Sequence, residues 1–411
     1  MLKKIYQLGI KGKVGHWIQS FITGRTQTVF VNGARSSPAE VKSGVPQGSV
    51  LGPLLFLILI GDIDQDVSHA FLSSFADNTR VGYHVNSDDE ASYLQQDLKA
   101  IYSWTQQNNM ELNSDKFEHV HYSHSRLRET TYQYLSTSGD TITEKEDVKD
   151  LGVTMSNNGT FRKHIQNVIT EARSQAAWIL RTFATRDTSP MLTLWKSLVQ
   201  CKLDYCSQLW NPTEKSDIQA LEMIQRSYLR KISGLNQSSY WDQLKELRLY
   251  SQERRRERYM IIYVWRILEN QVPNICNGAH ASGSITARWH ARRGRMCDVP
   301  QVARNSSPRV QRLREASLSV KGQRLFNCLP LNIRNMTGCK KDVFKQALDN
   351  YLQSIPDEPQ IQGYTMFRRT DTNSLIDMTR FRNAHRDQRV EGLDDTYSSS
   401  SRGCASSVAV A

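Results

Sequence analysis

The spacing of apolar residues changes character part-way along this 411-residue chain, and no other feature limits its possible folds as much. From about residue 160 onward the spacing is almost wholly helical. Ile165, Val168, Ala172, Ala176, Ile179 and Phe183 recur three or four apart; so do Leu192, Trp195, Leu198 and Val199, and again Ile218, Leu221, Ile224 and Leu229. Such stripes give one continuous face only on a helix. The segment up to about residue 125 mixes two periods instead. Leu2, Ile5, Tyr6 and Ile10 open it with helical spacing, whereas Thr26 to Asn32 reads as a strand ending in an Asn32-Gly33 turn. Ala70 to Phe75 and Thr79 to Tyr83 read as two strands about a short turn. Ser87-Asp88-Asp89-Glu90 is a capping box, and it opens a helix with Leu94, Leu98, Ile101 and Trp104 on one side. The pattern predicts an α+β fold, with antiparallel sheet and helices first and a mainly α-helical region after.

Six stretches follow from these shifts: 1–125 mixed, 126–160 a hairpin or connector, 161–275 helical, 276–310 a basic linker, 311–360 a small compact segment and 365–411 a polar, Ser-rich tail expected to be disordered. The longest apolar run, Val50 to Ile60, is interrupted by Gly52 and Pro53. It falls well short of the roughly 20 residues that span a bilayer and reads as a buried helix, with Ser49 as a candidate cap. The start, MLKKIYQLGIKG, has no signal-peptide pattern. Seven scattered cysteines, an odd number, imply no disulfide framework and point to a reducing, intracellular home.

Lysine and arginine number 53 against 41 acidic residues, for a net charge of +12. That balance suits a polyanionic partner, since phosphate neutralisation dominates such binding; it also suits a basic protein with no nucleic-acid partner. Arg162, Lys163, Arg173, Arg181, Arg226, Arg230 and Lys231 lie beside the helical stripes. The run Glu253 to Arg258 opens a further helix carrying Tyr259, Ile262, Tyr263 and Trp265. Basic helices with aromatics can bind a duplex backbone, or they can simply carry solvated faces.

Two strings carry chemistry. Ser43-Gly44-Val45-Pro46-Gln47-Gly48-Ser49-Val50-Leu51-Gly52-Pro53-Leu54-Leu55-Phe56 places two glycines and a proline in a tight loop just before a helix, where backbone can approach a ligand closely. Gln47 adds an amide that donates and accepts. Phe75-Ala76-Asp77-Asn78 lies between the two strands, where Asp and Asn also suit an ordinary turn. Cys276, His280, His290 and Cys297 are zinc-type donors, but their spacing matches no standard finger. Cys201 and Cys206 on an apolar stretch read as core residues.

The order and separation of the two strings resemble motifs B and C of reverse transcriptases, and more narrowly those of jockey-like and CR1-like non-LTR retrotransposons. Residues 43–56 carry that family's loop without a change. Trp17 to Asn32, Leu94 to Trp104, Asn113 with Lys116, Leu151-Gly152-Val153, Trp210-Asn211-Pro212 and Leu325 to Pro330 extend the resemblance. It implies a partial polymerase palm followed by a thumb-like helical region, acting on an RNA template, a DNA primer and dNTPs through two Mg²⁺ ions. It implies Asp77 as a metal ligand, Gly44, Pro46, Gln47 and Gly48 around template and nucleotide, and Lys116 near the triphosphate. Two departures imply an inactive chain. Asn78 stands where the family has its second Asp, and the motif A Asp belongs upstream of the segment matched by Leu2 to Gly12. Asp62 and Asp64 match no catalytic position. The alternatives are a non-catalytic nucleic-acid-binding relic or a host-recruited interaction protein.

Overall fold

The computed structural model describes residues 1–42, 44–122, 132–235, 238–274, 284–302, 307–358 and 373–379. They fall into two units, Met1–Lys145 and Glu146–Ala411.

The first unit opens with α1 (Leu2–Gln7) and α2 (Gly12–Ile22). Four two-residue strands follow: β1 (Thr26–Gln27), β2 (Phe30–Val31), β3 (Ala34–Arg35) and β4 (Ala39–Glu40). The single strand expected over Thr26 to Asn32 is therefore split, with β1 paired to β4 and β2 to β3. Asn32 and Gly33 sit at φ +50° and +84°, the left-handed pair that a two-residue hairpin turn demands. Next come α3 (Gly52–Ile60), the hairpin β5 (Phe71–Phe75) and β6 (Asn78–Gly82), and α4 (Asp88–Gln107). Half of the capping box forms: Ser87 Oγ accepts from Glu90 N at 3.2 Å, while the Glu90 carboxylate accepts from Asn86 N, one residue ahead of the cap, at 2.7 Å.

Two expectations for burial here need correction. α3 is buried on one side only, since Leu55 and Ile60 are enclosed while Leu54 and Leu57 are each 54% exposed. On α4, Leu94 and Leu98 are only half-buried, and Gln95 and Asp97 take the enclosed positions beside Ile101 and Trp104. Asp97 is enclosed because the loop ahead of β5 presents bare backbone N–H groups to it, and Gln95 because its amide pairs with the N–H and C=O of Leu135.

The second unit opens with the hairpin β7 (Asp147–Asp150) and β8 (Val153–Ser156), turned through Leu151 and Gly152. Helices follow: α5 (Arg162–Thr182), α6 (Thr188–Leu194) running on through Trp195–Gln200 into α7 (Cys201–Asp204), α8 (Lys215–Leu229), α9 (Tyr240–Glu246) and α10 (Gln252–Leu268). After these come the hairpin β9 (Ala287–His290) and β10 (Gly294–Cys297), then α11 (Pro308–Ala316), α12 (Gln323–Asn327), α13 (Leu331–Arg334) and α14 (Lys341–Gln353). The periodic stripes define its first core, in which Ile165, Val168, Ala172, Ala176, Ile179, Trp195, Leu221 and Ile224 are all buried. A second core gathers one face of α10 with Phe326, Phe344, Leu348 and Leu352. Trp265 stacks on Phe344 there at 4.4 Å.

Four expectations are revised in this unit. The basic run on α10 is not a surface stripe: Arg254 and Arg256 are buried, Arg255 grips Asp204 at 2.8 and 2.7 Å, and Arg258 grips Asp349 at 2.5 and 2.7 Å. The stretch read as a linker contains β9 and β10, with Ile285 and Cys297 in the second core. Within the tail, residues 373–379 are packed, with Leu375 and Met378 buried; 380–411 lie outside the described residues. Cys201 is exposed, because the helix turns its other face to the core and Cys201 Sγ donates to Ser197 O, while Cys206, past the helix end, is half-buried against the first core.

Candidate functional site

The two strings and Lys116 lie in the first unit, on three separate pieces of backbone. The loop before α3 owes its shape to a few small residues. Gly44 and Gly48 take φ +76° and +77°, a region costly for any residue with a Cβ. Ser49 Oγ donates to Pro46 O at 2.7 Å and accepts from Gly52 N at 3.0 Å, so it closes the loop and satisfies one orphan N–H of the helix. A Cβ at Gly52 would meet Ser49 Oγ at 2.9 Å and Pro46 O at 3.1 Å. Arg25 reaches in from β1's side and donates to Gly44 O at 2.7 Å. Gln47 is exposed at the loop's crest. Ser43 lies outside the described residues.

Asp77 and Asn78 sit at the tip of the β5–β6 hairpin. Phe75 pairs with Asn78 to close the ladder, and Ala76 takes φ +52° in the turn. Both Asp77 and Asn78 are exposed. The root of the hairpin is fixed by a residue that the sequence reading passed over. Asp97 on α4 is 2% exposed, and its carboxylate accepts from the backbone N–H groups of Ser68, His69 and Ala70 at 3.0, 2.9 and 2.6 Å. Burial opposes its ionisation, but the three N–H bonds outweigh that cost and hold the carboxyl below its ordinary range. A signal was available: Asp97, Ile101 and Trp104 are spaced i, i+4, i+7, so the acid lies on the apolar face.

Lys116 ends a short 3₁₀ turn, Ser114–Lys116, whose first residue is preceded by Asn113 accepting from Asp115 N at 3.0 Å. Its side chain is exposed. Among the described residues, no hydrogen bond or ion pair joins the Gly44–Gly48 loop, the Asp77–Asn78 tip and Lys116. Asp62 has a structural partner set instead. It accepts from Lys4 Nζ at 2.5 Å and from Trp104 Nε1 at 3.0 Å, and these bonds hold its carboxyl low against the opposing effect of burial.

The chemistry of these donors can be tested against a metal pair. Asp77 is the one carboxylate between Phe71 and Gly82, and Asn78 offers a neutral amide oxygen. Hard dications are held chiefly by anionic oxygens, so this tip alone does not fit two of them. Among the described residues, no group of three or more His, Cys, Asp or Glu is placed to hold a metal ion. The zinc-type set fares no better. Cys276 and His280 lie outside the described residues, while His290 and Cys297 stand at opposite ends of the β9–β10 ladder, roughly 10 Å apart by strand rise. Burial also pushes the Cys297 thiol up to about 12.

Both strings lie within a stretch that matches a known family. Residues 1–155 match the family described as reverse transcriptase (RNA-dependent DNA polymerase). Residues 1–155 belong to that family. The chain is 31% identical over 225 residues to the probable RNA-directed DNA polymerase from transposon X-element of Drosophila melanogaster, covering 53% of this chain and 24% of that protein. It is 29% identical over 228 residues to the RNA-directed DNA polymerase from mobile element jockey of the same fly, covering 53% and 25%. The chain thus spans about a quarter of the length of these curated relatives. No solved structure matches it. The reverse transcriptase segment is of the non-LTR retrotransposon kind.

Proposed function

We propose that the first unit supplies the template-facing loop and the metal-facing hairpin of a retrotransposon reverse transcriptase, and that residues 161–275 are its thumb-like helical region. In this reading Gly44, Pro46, Gln47 and Gly48 shape the pocket for template and incoming nucleotide, and Lys116 lies toward the triphosphate. Asp77 is a ligand for Mg²⁺. The partners are an RNA template, a DNA primer and dNTPs, met inside the cell in nucleus or cytoplasm. No helix among the described residues is long and apolar enough to cross a membrane.

We further propose that the 411-residue chain by itself does not copy a template. The observation that carries this is the pair Asp77-Asn78 at the hairpin tip, which brings one carboxylate where two Mg²⁺ ions need several. A family member so altered can still hold nucleic acid. The exposed Arg162, Lys163, Arg173 and Arg181 along α5 favour that second reading, a binding protein without chemistry. Primer extension on an RNA template with Mg²⁺ or Mn²⁺ separates the two. The expected result is salt-sensitive binding of primer–template with no extension above that of Asp77→Ala. Template-copied extension that Asp77→Ala abolishes overturns the inactive reading, and absence of both extension and binding overturns the family role.

A further inference from the structure

The second unit carries a surface that the reverse transcriptase reading does not use. Six consecutive residues around the turn of β9–β10 are exposed: Arg288, Trp289, His290, Ala291, Arg292 and Arg293. Trp289 is 62% exposed. Its place in the ladder is opposite Arg295, which is itself buried.

The hairpin is not loose. Arg295 donates to Glu269 at 2.6 Å and to Leu268 O at 2.8 Å, and its backbone N–H reaches Asn335 Oδ1 at 2.9 Å. The Asn327 amide accepts from Cys297 N at 2.8 Å and donates to Cys297 O at 3.0 Å. Arg334 donates to Arg293 O at 3.0 Å. All these anchors act on β10 and the turn, which leaves β9 as the open edge of a two-stranded sheet. Ile285, Ala287 and Cys297 supply the hairpin's contribution to the core, and Trp289 supplies none. A rigid strand therefore holds a large flat ring in water.

The charge around that ring is mostly basic, with Asp298 the acidic exception. Arg288 is engaged by Asp298 at 3.0 Å. Among the described residues, Arg292 and Arg293 make no side-chain ion pair. A flat aromatic face beside unmatched guanidinium groups is complementary to a chain that offers a π-face and a phosphate at every repeat. A duplex hides its base faces, so it fits the arginines but not the tryptophan. We infer that the β9–β10 hairpin docks single-stranded nucleic acid, with one unpaired base stacked on Trp289 and neighbouring phosphates on Arg292 and Arg293.

The inference stands apart from the Asp77 hairpin and from polymerase activity. It is tested on the full chain by fluorescence anisotropy, with labelled oligothymidylate, oligouridylate and a mixed-sequence duplex, across a salt series. Trp289→Ala is expected to weaken binding of at least one single strand about tenfold while leaving the duplex unchanged. Trp289→Phe is expected to stay close to the parent, because a ring remains. The double change Arg292→Ala with Arg293→Ala is expected to lower the salt slope for the single strand by about 1.4. Since all three positions are exposed, the fold should survive each change, and circular dichroism checks that. The inference is overturned if Trp289→Ala binds both single strands as the parent does. An equal loss on the duplex overturns it too, as does loss confined to anionic phospholipid vesicles, which would make the hairpin a membrane contact.

Discussion

The two units bury their apolar residues on very different scales. In Met1–Lys145, the described clusters hold four and three buried residues, and Leu54, Leu57, Phe71 and Phe75 face solvent. In Glu146–Ala411, the two clusters hold twenty and eighteen. Burial of apolar area is the main favourable term in folding, at roughly 25 cal/mol per Å². The unit that bears the Gly44–Gly48 loop and the Asp77–Asn78 hairpin is therefore expected to be the weaker one. Its shape rests on polar devices, such as Asp97 under the hairpin and Ser49 in the loop, rather than on a filled core. The other unit spends its chemistry on stability, and even its most basic helical run is turned inward.

Removing a buried charge from the better-packed unit should have the largest effect. Glu257 is 1% exposed, accepts from Ser374 Oγ at 2.7 Å and Leu375 N at 2.8 Å, and lies 3.3 Å from Lys321 Nζ. Glu257→Ala removes the ion-pair partner of Lys321 and the acceptor of Ser374 Oγ and Leu375 N, and should cost about 3–5 kcal/mol in urea unfolding followed by tryptophan fluorescence. A loss below about 1 kcal/mol would show that this network is not what joins residues 373–379 to α10.

A pH series sharpens the same contrast. Burial pushes the carboxyls of Glu222 and Glu253 up to about 7. A carboxyl raised in the fold stabilises it fully below its ordinary value of about 4.5, and that contribution fades as pH rises through 7. The second unit should therefore be more stable at pH 5 than at pH 8, by about 1–3 kcal/mol. Glu222→Gln should flatten part of that slope, and an unchanged slope would contradict the assignment.

An effect of similar size, but confined to one hairpin, is expected in the weaker unit. Asp97→Asn keeps the size of the side chain but loses an anionic acceptor of three N–H bonds, at a cost of about 1–3 kcal/mol. Hydrogen exchange should rise in Phe71–Gly82 and stay as before in α5 and α8. Exchange that rises equally in both units would mean they do not differ as described.

The sequence revealed periodic elements better than it revealed burial. The α5 and α8 stripes were legible because every third or fourth apolar residue meets one core. The Ser87 cap and the Asn32-Gly33 turn were legible because each has a fixed local geometry. The buried Arg254 and Arg256 were not, since a basic run looks solvated until its partners, distant in sequence, are known. The β9–β10 hairpin was hidden for a similar reason: its side chains alternate between arginine and small or aromatic residues rather than polar and aliphatic ones. At the candidate site, the loop and hairpin were legible as strings. Asp97 was missed because a lone acid on an amphipathic helix is ordinarily a surface residue.

The claim that the hairpin tip is short of negative charge is tested most directly by Mn²⁺ titration read by electron paramagnetic resonance. The parent chain, Asn78→Asp and Asp77→Ala are compared at one ionic strength. The account predicts at least about tenfold tighter Mn²⁺ binding for Asn78→Asp than for the parent, with Asp77→Ala weakest. Equal binding by the parent and Asn78→Asp would contradict it.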